Sequence, residues 1–175
     1  VLLKCLIGLL KPDAGTIYVD NKLINSMSFR QLQKIRSSIG MVFQFGALFD
    51  SLTVSENISL ALRKLTKLSE NEIQDRVFNS LEAVDMENTE GLMPAELSGG
   101  MKKRVGIARA IAIKPDYLFY DEPTTGLDPI MTDSINRLIR KFQSTEKVTS
   151  VIITHEMLTV YDVANRVLLL HDGKI

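Results

Sequence analysis

The sequence predicts an α/β fold, in which helices cover both faces of a mostly parallel sheet. Short apolar runs recur at residues 39–43, 117–120 and 150–154, and each is too short for a helix. Amphipathic segments separate these runs, and a long helical block at about residues 53–113 lies between the first two. Continuous apolar runs are typical of strands that are buried on both faces of a parallel sheet. The helical block therefore predicts an inserted α-helical subdomain.

Composition narrows the class of protein. The 175 residues hold 21 basic and 21 acidic side chains, so no net charge attracts the chain to nucleic acid or to an anionic membrane surface. A hydrophobic content of 45% is enough for one core. The single cysteine, Cys5, cannot form an internal disulfide, and we expect it to be a buried apolar residue. No apolar run reaches the roughly 18 residues of a membrane-spanning helix, so a soluble or peripheral protein is expected.

The first quarter of the chain reads as a helix, a turn and two strands. The opening VLLKCLIGLL predicts a buried helix that ends before Pro12. Residues 12–15 predict a turn, residues 16–19 a short strand closed by Asp20-Asn21, and residues 39–43 a second strand. The opening has neither an initiating Met nor the basic segment of a signal peptide, so we expect the chain to begin inside a domain.

The helical block begins with two capped helices. Thr53 or Ser55 can cap the first, and Ser69 followed by Glu72 forms the capping box of the second. The remaining elements are predicted in this order: a helix at residues 98–113, a strand at 117–120, a helix at 129–142, a strand at 150–154, a short helix after His155, a strand at 167–170 and a turn at 172–173.

A serine and two glycines begin the helix at residues 98–113. Ser98 has the chemistry of an N-cap, and Gly99 and Gly100 let phosphate oxygens approach backbone N–H groups that have no partner inside the helix. The positive end of the helix dipole adds to this attraction. An isolated S-G-G would instead indicate an ordinary capped helix after a glycine turn.

Two acidic residues follow the apolar strand at residues 117–120. Asp121 is expected at the carboxyl edge of the sheet, where Mg²⁺ that bridges nucleotide phosphates would lie. Glu122 is then placed to polarise an attacking water as a general base. Carboxylates at strand ends are frequent, so the pair by itself is not specific.

Polar side chains also follow the other two strands of the predicted sheet. Gln44 follows the run at residues 39–43, and its amide has a donor and an acceptor that can contact Mg²⁺ or its water. His155 follows the run at residues 150–154, and its N–H suits the charge that develops on a phosphate. Taken alone, the two would be a surface amide and a structural histidine. His171 lies beside the terminal turn and is given no role.

Two further segments are interpreted without a catalytic role. Residues 102–104, Lys-Lys-Arg, are expected to form a solvated helix face, because no aromatic residues or wider basic stripe accompany them as in nucleic-acid binding. The apolar residues 45–49 are either part of the core or a surface on which a partner docks, and the sequence leaves both open.

These motifs resemble the ATPase domain of ABC transporters, which has a P-loop NTPase-like fold. LSGGMKKRVGIARAI is similar to the signature and its following helix, with Met101 in place of the usual Gln. The carboxylate pair, followed by Pro123 and by residues 126–128, is similar to the Walker B and D-loop pattern. Gln44 resembles the Q-loop glutamine and His155 the switch histidine. The resemblance covers residues 12–173.

The resemblance implies a cytoplasmic ATP hydrolase that dimerises around two ATP molecules. Asp121 and Gln44 would hold Mg²⁺, and Glu122 would activate water. His155 would contact the γ-phosphate and help to hold Glu122 and the water in line, and Gln44 would complete the catalytic set by contacting Mg²⁺ or its water. We therefore expect ATP and Mg²⁺ as cofactors.

In the same family arrangement, the signature faces the nucleotide that is held by the other protomer. The residues expected to bind nucleotide are Ser98, Gly99, Gly100 and Asp128. The serine and glycine residues and the carboxylate pair of one chain would thus belong to two different pockets. A second copy of the ATPase is the implied partner.

Three segments resemble, more narrowly, the ATPase subunit of Mla/Mce-type lipid transporters. They are FQFGALFDSLTVSENI, LMPAELSGGM and DEPTTGLDPI. Such systems move phospholipids or other lipids between membranes of the bacterial envelope. The resemblance implies a peripheral protein on the cytoplasmic face of the inner membrane. Its expected partners are an integral-membrane permease and an MCE-type lipid-binding protein, with no nucleic acid.

The chain also departs from the family in its phosphate-binding loop. The motif G-x-x-x-x-G-K-[ST], whose backbone, Lys and hydroxyl hold the β- and γ-phosphates and Mg²⁺, does not occur. The opening segment resembles the helix that follows this loop, so we expect a fragment that binds ATP poorly or not at all. Two alternatives remain: a non-catalytic subunit that supplies only its signature face, and an ABC-type ATPase that acts on DNA or ribosomes.

Overall fold

The computed structural model describes residues 1–145, 148–172 and 174. The elements in chain order are α1 (Leu2–Leu6), β1 (Tyr18–Val19), β2 (Lys22–Leu23), α2 (Phe29–Arg36), β3 (Ile39–Val42), α3 (Val54–Leu65), α4 (Glu70–Glu82), a 3₁₀ turn (Pro94–Glu96), α5 (Gly99–Ala112), β4 (Tyr117–Asp121), α6 (Pro129–Thr145), β5 (Thr149–Ile153) and α7 (Met157–Val163). Among the described residues, no helix combines the length and apolar character needed to cross a membrane.

The three strands β3, β4 and β5 form a parallel sheet with β4 in the middle. Val42 at the end of β3 lies opposite Tyr120, and Asp121 at the end of β4 lies opposite Ile153. The predicted α/β class with a parallel sheet is therefore confirmed. All three carboxyl ends meet at one edge of the sheet, and the predicted site residues follow these ends.

Helices cover both faces of this sheet, as the apolar runs predict. On one face Val42, Leu118 and Tyr120 join a large buried cluster with the helices α3 to α6. On the other face Ile39 and Phe119 pack with residues of α1 and α2 in a smaller cluster. Alternate residues of each strand thus enter different cores, which explains why the strands read as unbroken apolar runs.

The helical block begins as its caps predict. The Thr53 hydroxyl accepts a hydrogen bond from the Glu56 N–H, and the Ser69 hydroxyl accepts one from the Glu72 N–H. Helix α5 packs against α3, α4 and β3, so it joins the block to the sheet. The treatment of residues 53–113 as a subdomain stays a prediction.

Two local predictions differ from the structure, and one helix was not predicted. Residues 167–170 do not form a strand. They are 60% to 78% exposed, and no described strand pairs with them. An apolar run without a paired neighbour has no partner for its backbone hydrogen bonds. Helix α1 is shorter than predicted, because the chain turns at Gly8 with a positive φ of 65°. Helix α2, with a capping box from Ser28 and Gln31, is absent from the predicted elements. The predicted terminal turn includes Gly173, which lies outside the described residues.

Candidate functional site

The sheet edge brings the predicted catalytic residues into one region. Asp121 ends β4, Glu122 follows it, and His155 lies two residues after the end of β5. The Glu122 N–H donates to the Ile153 carbonyl over 2.9 Å, which ties the ends of the two strands together. Gln44 lies two residues after β3, at the same edge, but among the described residues no hydrogen bond joins its side chain to Asp121 or Glu122.

Both oxygens of the Glu122 carboxylate have protein partners. Oε1 lies 2.9 Å from the His155 Nδ1, and Oε2 accepts a hydrogen bond of 2.9 Å from the Thr125 hydroxyl. The Glu122 side chain is 19% exposed, whereas that of His155 is 69% exposed. The carboxylate is therefore held in one orientation, and solvent can still reach the pair.

The backbone at Glu122 is in the left-handed region, with φ of 51°. This conformation costs an L-residue other than glycine roughly 1–2 kcal/mol. Such residues persist only where the surrounding structure holds them, and they cluster at functional sites. The strand-to-strand bond from Glu122 and the side chains around it provide that support.

The two side chains shift each other's pKa in opposite directions. Burial alone raises the pKa of Glu122, but hydrogen bonds from His155 and Thr125 and the charge of His155 outweigh burial, and the net pKa is lowered. The hydrogen bond to Glu122 and its negative charge raise the pKa of His155. Near neutral pH the carboxylate is ionised, as a group that polarises water must be.

The donor atoms at this edge fit a magnesium ion that arrives with a nucleotide. Asp121 is half-buried at the strand end, and Gln44 offers an amide oxygen from the neighbouring strand. The described part of the chain contains no cluster of three His, Cys, Asp or Glu residues that could hold a metal by itself. Mg²⁺ commonly takes one or two protein oxygens and completes its shell with waters and phosphates, so this sparse donor set is suitable.

The start of helix α5 has the predicted cap and one open glycine. The Ser98 hydroxyl accepts a hydrogen bond from the Met101 N–H over 3.2 Å. A Cβ at Gly99 would meet no atom within 4 Å, so a ligand can approach the backbone there. A Cβ at Gly100 would lie 2.2 Å from the terminal methyl of Met131, so a larger residue there would displace the flexible end of that side chain.

Asp128 has a structural partner that accounts for its position. Its Oδ1 accepts hydrogen bonds of 2.9 Å from the backbone N–H groups of Ile130 and Met131. The carboxylate therefore caps the first turn of α6. Its predicted contact with nucleotide stays a prediction.

The prediction that residues 102–104 form a solvated face is wrong. Lys103 is only 4% exposed, and its ammonium donates to the Pro123 carbonyl over 2.8 Å and to the Glu122 carbonyl over 3.4 Å. Arg104 donates to the Val84 carbonyl, to Asp85 and to Ser134. Helical spacing could have identified the lysine, because position 103 shares a face with the buried positions 100, 107 and 110.

The loop after Gln44 is anchored to helix α5. The Arg109 guanidinium donates to the carbonyls of Gly46 and Ala47 over 2.6 and 2.7 Å. Phe45 and Phe49, by contrast, are 72% and 54% exposed. The interpretation of residues 45–49 as part of the core is therefore wrong for the rings of Phe45 and Phe49.

Comparison with known proteins agrees with this architecture. The family model described as ABC transporter matches residues 1–125. The methionine import ATP-binding protein MetN 2 of Bacillus cereus is 45% identical over 174 residues, which cover 99% of this chain and 51% of that protein. The intermembrane phospholipid transport system ATP-binding protein MlaF of Haemophilus influenzae is 40% identical over 174 residues, which cover 99% of this chain and 66% of that protein.

The solved structures include a similar cassette. A dimeric post-hydrolysis state of the ATP-binding cassette MJ0796, bound to ADP and Pi, is 34% identical and has a TM-score of 0.82 over 90% of this chain and 70% of that chain. The present chain spans about half the length of the methionine-import relative. The family match covers well over half of the 175 residues, and the sheet and helices agree with those of the solved cassette. The chain therefore belongs to the ABC transporter family and has the fold of its ATP-binding cassettes.

Proposed function

We propose that the complete protein hydrolyses ATP, with Glu122 as the general base. The observation that carries this proposal is the Glu122 carboxylate, held by His155 and Thr125 at the carboxyl edge of the sheet. A carboxylate held in this way can orient and polarise an attacking water. Two cassettes with which this chain shares its family are named for ATP binding, which supports the same chemistry.

Three further residues would prepare the nucleotide for attack. Asp121 and Gln44 would hold Mg²⁺, which neutralises phosphate charge when it is bound. His155 uses Nδ1 toward Glu122, while its Nε2 lies 3.8 Å from the nearest Glu156 oxygen, which is too far for a hydrogen bond. Because its pKa is raised, His155 can carry protons on both ring nitrogens, and the Nε2–H of the imidazolium can then donate to a phosphate oxygen and stabilise the charge that develops there.

The start of α5 would serve the nucleotide of a second copy. Gly99 is open to approach, and the free N–H groups of the first turn attract anions. Ser98, Gly100 and Asp128 would complete this face. The dimeric state of the MJ0796 cassette supports a homodimer as the active form.

We further propose phospholipid transport as the process that this ATPase drives. The support is the likeness to the phospholipid transport protein MlaF, together with the three segments that resemble lipid-transporter ATPases. The complex would then contain a permease and an MCE-type lipid-binding protein, and the ATPase would lie on the cytoplasmic face of the inner membrane. Methionine import is the second candidate, because the identity to MetN 2 is 45%.

Replacing Glu122 with Gln tests the proposed chemistry in the complete protein. The amide keeps the size of the side chain but cannot take a proton, so we expect ATP turnover to fall by roughly 100-fold or more, with ATP binding retained. Glu156→Gln is the matched control, because it removes a neighbouring carboxylate without a hydrogen bond to His155, and we expect near-normal turnover. Unchanged turnover in Glu122→Gln would contradict the assignment of the base, whereas absence of turnover in the wild-type complete protein would favour a non-catalytic subunit.

The transported substrate is tested with the ATPase and its permease in proteoliposomes. We expect ATP-dependent movement of a labelled phospholipid and no uptake of labelled methionine. The opposite result would replace the lipid proposal with methionine import. Stimulation of ATP turnover by DNA or by ribosomes would contradict both.

A further inference from the structure

We propose that Lys103 is a positioning residue, which holds the turn after β4 so that the Glu122 carboxylate faces His155. This inference rests on the proposed function, because it gives Lys103 a role through the proposed base. Lys103 lies on α5, about one helical turn after the glycines, and its ammonium contacts the turn from the side of the helix.

The contacts of Lys103 are directed at the backbone of the turn. Its ammonium donates to the carbonyl oxygens of two successive residues, Glu122 at 3.4 Å and Pro123 at 2.8 Å. These carbonyls flank the point where the chain leaves β4 with a positive φ at Glu122. A donor that binds both carbonyls limits rotation of the backbone there, and it thereby limits the direction of the Glu122 side chain.

Because Lys103 is buried, its hydrogen bonds to the turn are important for its stability. An ammonium that is removed from water is stable only when its donors are satisfied, and here the acceptors are carbonyls of the turn. Desolvation lowers the pKa of Lys103, partly opposed by the negative charge of Glu122. The hydrogen-bond acceptors are neutral carbonyls, so Lys103 acts on Glu122 through hydrogen-bond geometry as well as through charge.

Other contacts also hold the same segment. The Glu122 N–H binds the Ile153 carbonyl, and the buried hydroxyls of Thr124 and Thr159 lie 2.9 Å apart. We expect these bonds to keep the segment in place when Lys103 is replaced. We therefore expect a Lys103 variant to fold, with a turn that has more freedom at Glu122.

The placement of Lys103 also connects two parts of the proposed machinery. Helix α5 carries the glycines that would bind the nucleotide of a second copy, and one turn later it carries the lysine that supports Glu122. A movement of the start of α5 would therefore be transmitted through this one rigid helix to the Glu122 carboxylate of the same chain.

The first test monitors the hydrogen bond between Glu122 and His155 in the absence of ATP. In the complete protein, histidines are labelled with ¹⁵N, and the His155 Nδ1 signal is assigned by its loss in His155→Gln. At one fixed pH, we expect Lys103→Met to move the Nδ1 chemical shift toward its value in Glu122→Gln, where the carboxylate is gone. Lys141→Met is the matched control, because it also removes a lysine that donates to a backbone carbonyl, that of Ala83 at 3.1 Å.

The second test is steady-state ATP hydrolysis. We expect Lys103→Met to lower kcat by about 10-fold or more with a KM for ATP within about twofold, because the base is misplaced while nucleotide contacts remain. Lys103→Gln keeps a buried donor without the charge and is expected to recover part of the lost kcat. Lys141→Met is expected to leave both constants unchanged.

An unchanged Nδ1 shift in Lys103→Met would overturn the inference, whatever the enzyme kinetics. An equal shift in Lys141→Met would also overturn it, because it would indicate a general loss of structure. Failure of the proposed function has a different result: the wild-type protein would show no ATP turnover, while the Nδ1 shift would still respond to Lys103→Met.

Discussion

At the residue scale, the proposed chemistry depends on the surroundings of Glu122. Its carboxylate receives His155 at one oxygen and Thr125 at the other, and its backbone is held in a conformation that few side chains adopt. The same hydrogen bonds that orient the carboxylate also keep it ionised. Orientation and charge state therefore have one common cause, and a change at His155 alters both.

The opposite pKa shifts predict how the pair contributes to stability at different pH values. His155 has a raised pKa, so its contribution is present below its ordinary pKa of 6.5 and is lost as pH rises through the folded value. Glu122 has a lowered pKa, so its contribution is present above 4.5 and is lost as pH falls through the folded value. The pair stabilises the fold most between these two ordinary values.

Replacing His155 with Gln should therefore destabilise the protein most near about pH 5.5, and less toward about pH 9 or pH 3. The size is limited, because His155 is exposed and water screens the pair. Urea unfolding midpoints of wild type and variant across this range are the measurement. His171→Gln, which removes the other, exposed histidine, should show no such maximum; a flat difference for His155→Gln would contradict the pairing.

At the scale of elements, helix α5 is the centre of the arrangement. It contacts α3, α4 and β3, and it supports the loop after Gln44 through Arg109. Small residues allow this close packing: a Cβ on Gly106 would lie 3.1 Å from the Gly46 Cα. The helix therefore contacts the loop after Gln44 and the turn after β4, and its position affects both together.

Replacing Gly40 with Ala tests the packing of β3 against α5. The added Cβ would lie 2.6 Å from the Ala110 carbonyl oxygen and 2.7 Å from a Leu118 methyl, and the backbone of a helix cannot easily withdraw. We expect a loss of about 1–3 kcal/mol in the free energy of unfolding. Gly91→Ala is the control, because nothing lies within 4 Å of its Cβ position. Equal stability of the two variants in urea would contradict this packing.

At the scale of the whole molecule, two cores on opposite faces of one sheet bind the helices to the strands. Leu118 is fully buried in the larger core with residues of the helical block, while its neighbour Phe119 enters the smaller core. The central strand is thus shared by both cores. Because α5 joins the helical block to β3, we expect the block and the sheet to unfold in one transition.

Replacing Leu118 with Ala should reduce the free energy of unfolding by about 2–5 kcal/mol, because it leaves a cavity beneath the helical block. Far-ultraviolet circular dichroism and histidine ¹⁵N signals should report the same urea midpoint. Leu65→Ala, at an exposed position on α3, should change stability by less than about 0.5 kcal/mol. Two separate midpoints would contradict a shared core.

Much of the order of helices and strands was predictable, because the sequence patterns that indicate each element involve residues close together in the chain. The capping boxes at Thr53 and Ser69 need only residues three positions away, and the three apolar runs identify β3, β4 and β5 without any knowledge of their neighbours. Placement of Gln44, Glu122 and His155 at one edge follows from the parallel arrangement of those runs. Residues 167–170 have the same apolar pattern but form no strand, since pairing depends on a partner that is distant in the chain.

The class of fold, the family and the residues that follow each strand can be inferred without a structure, because they depend on composition, spacing and caps within a few positions. The packed fold is needed to show that Lys103 is buried against the turn, that Glu122 has a left-handed backbone, and that His155 contacts the Glu122 carboxylate. These three features arise from contacts between residues that are 19 to 33 positions apart. No local pattern specifies such contacts, because they form only when separate elements pack together.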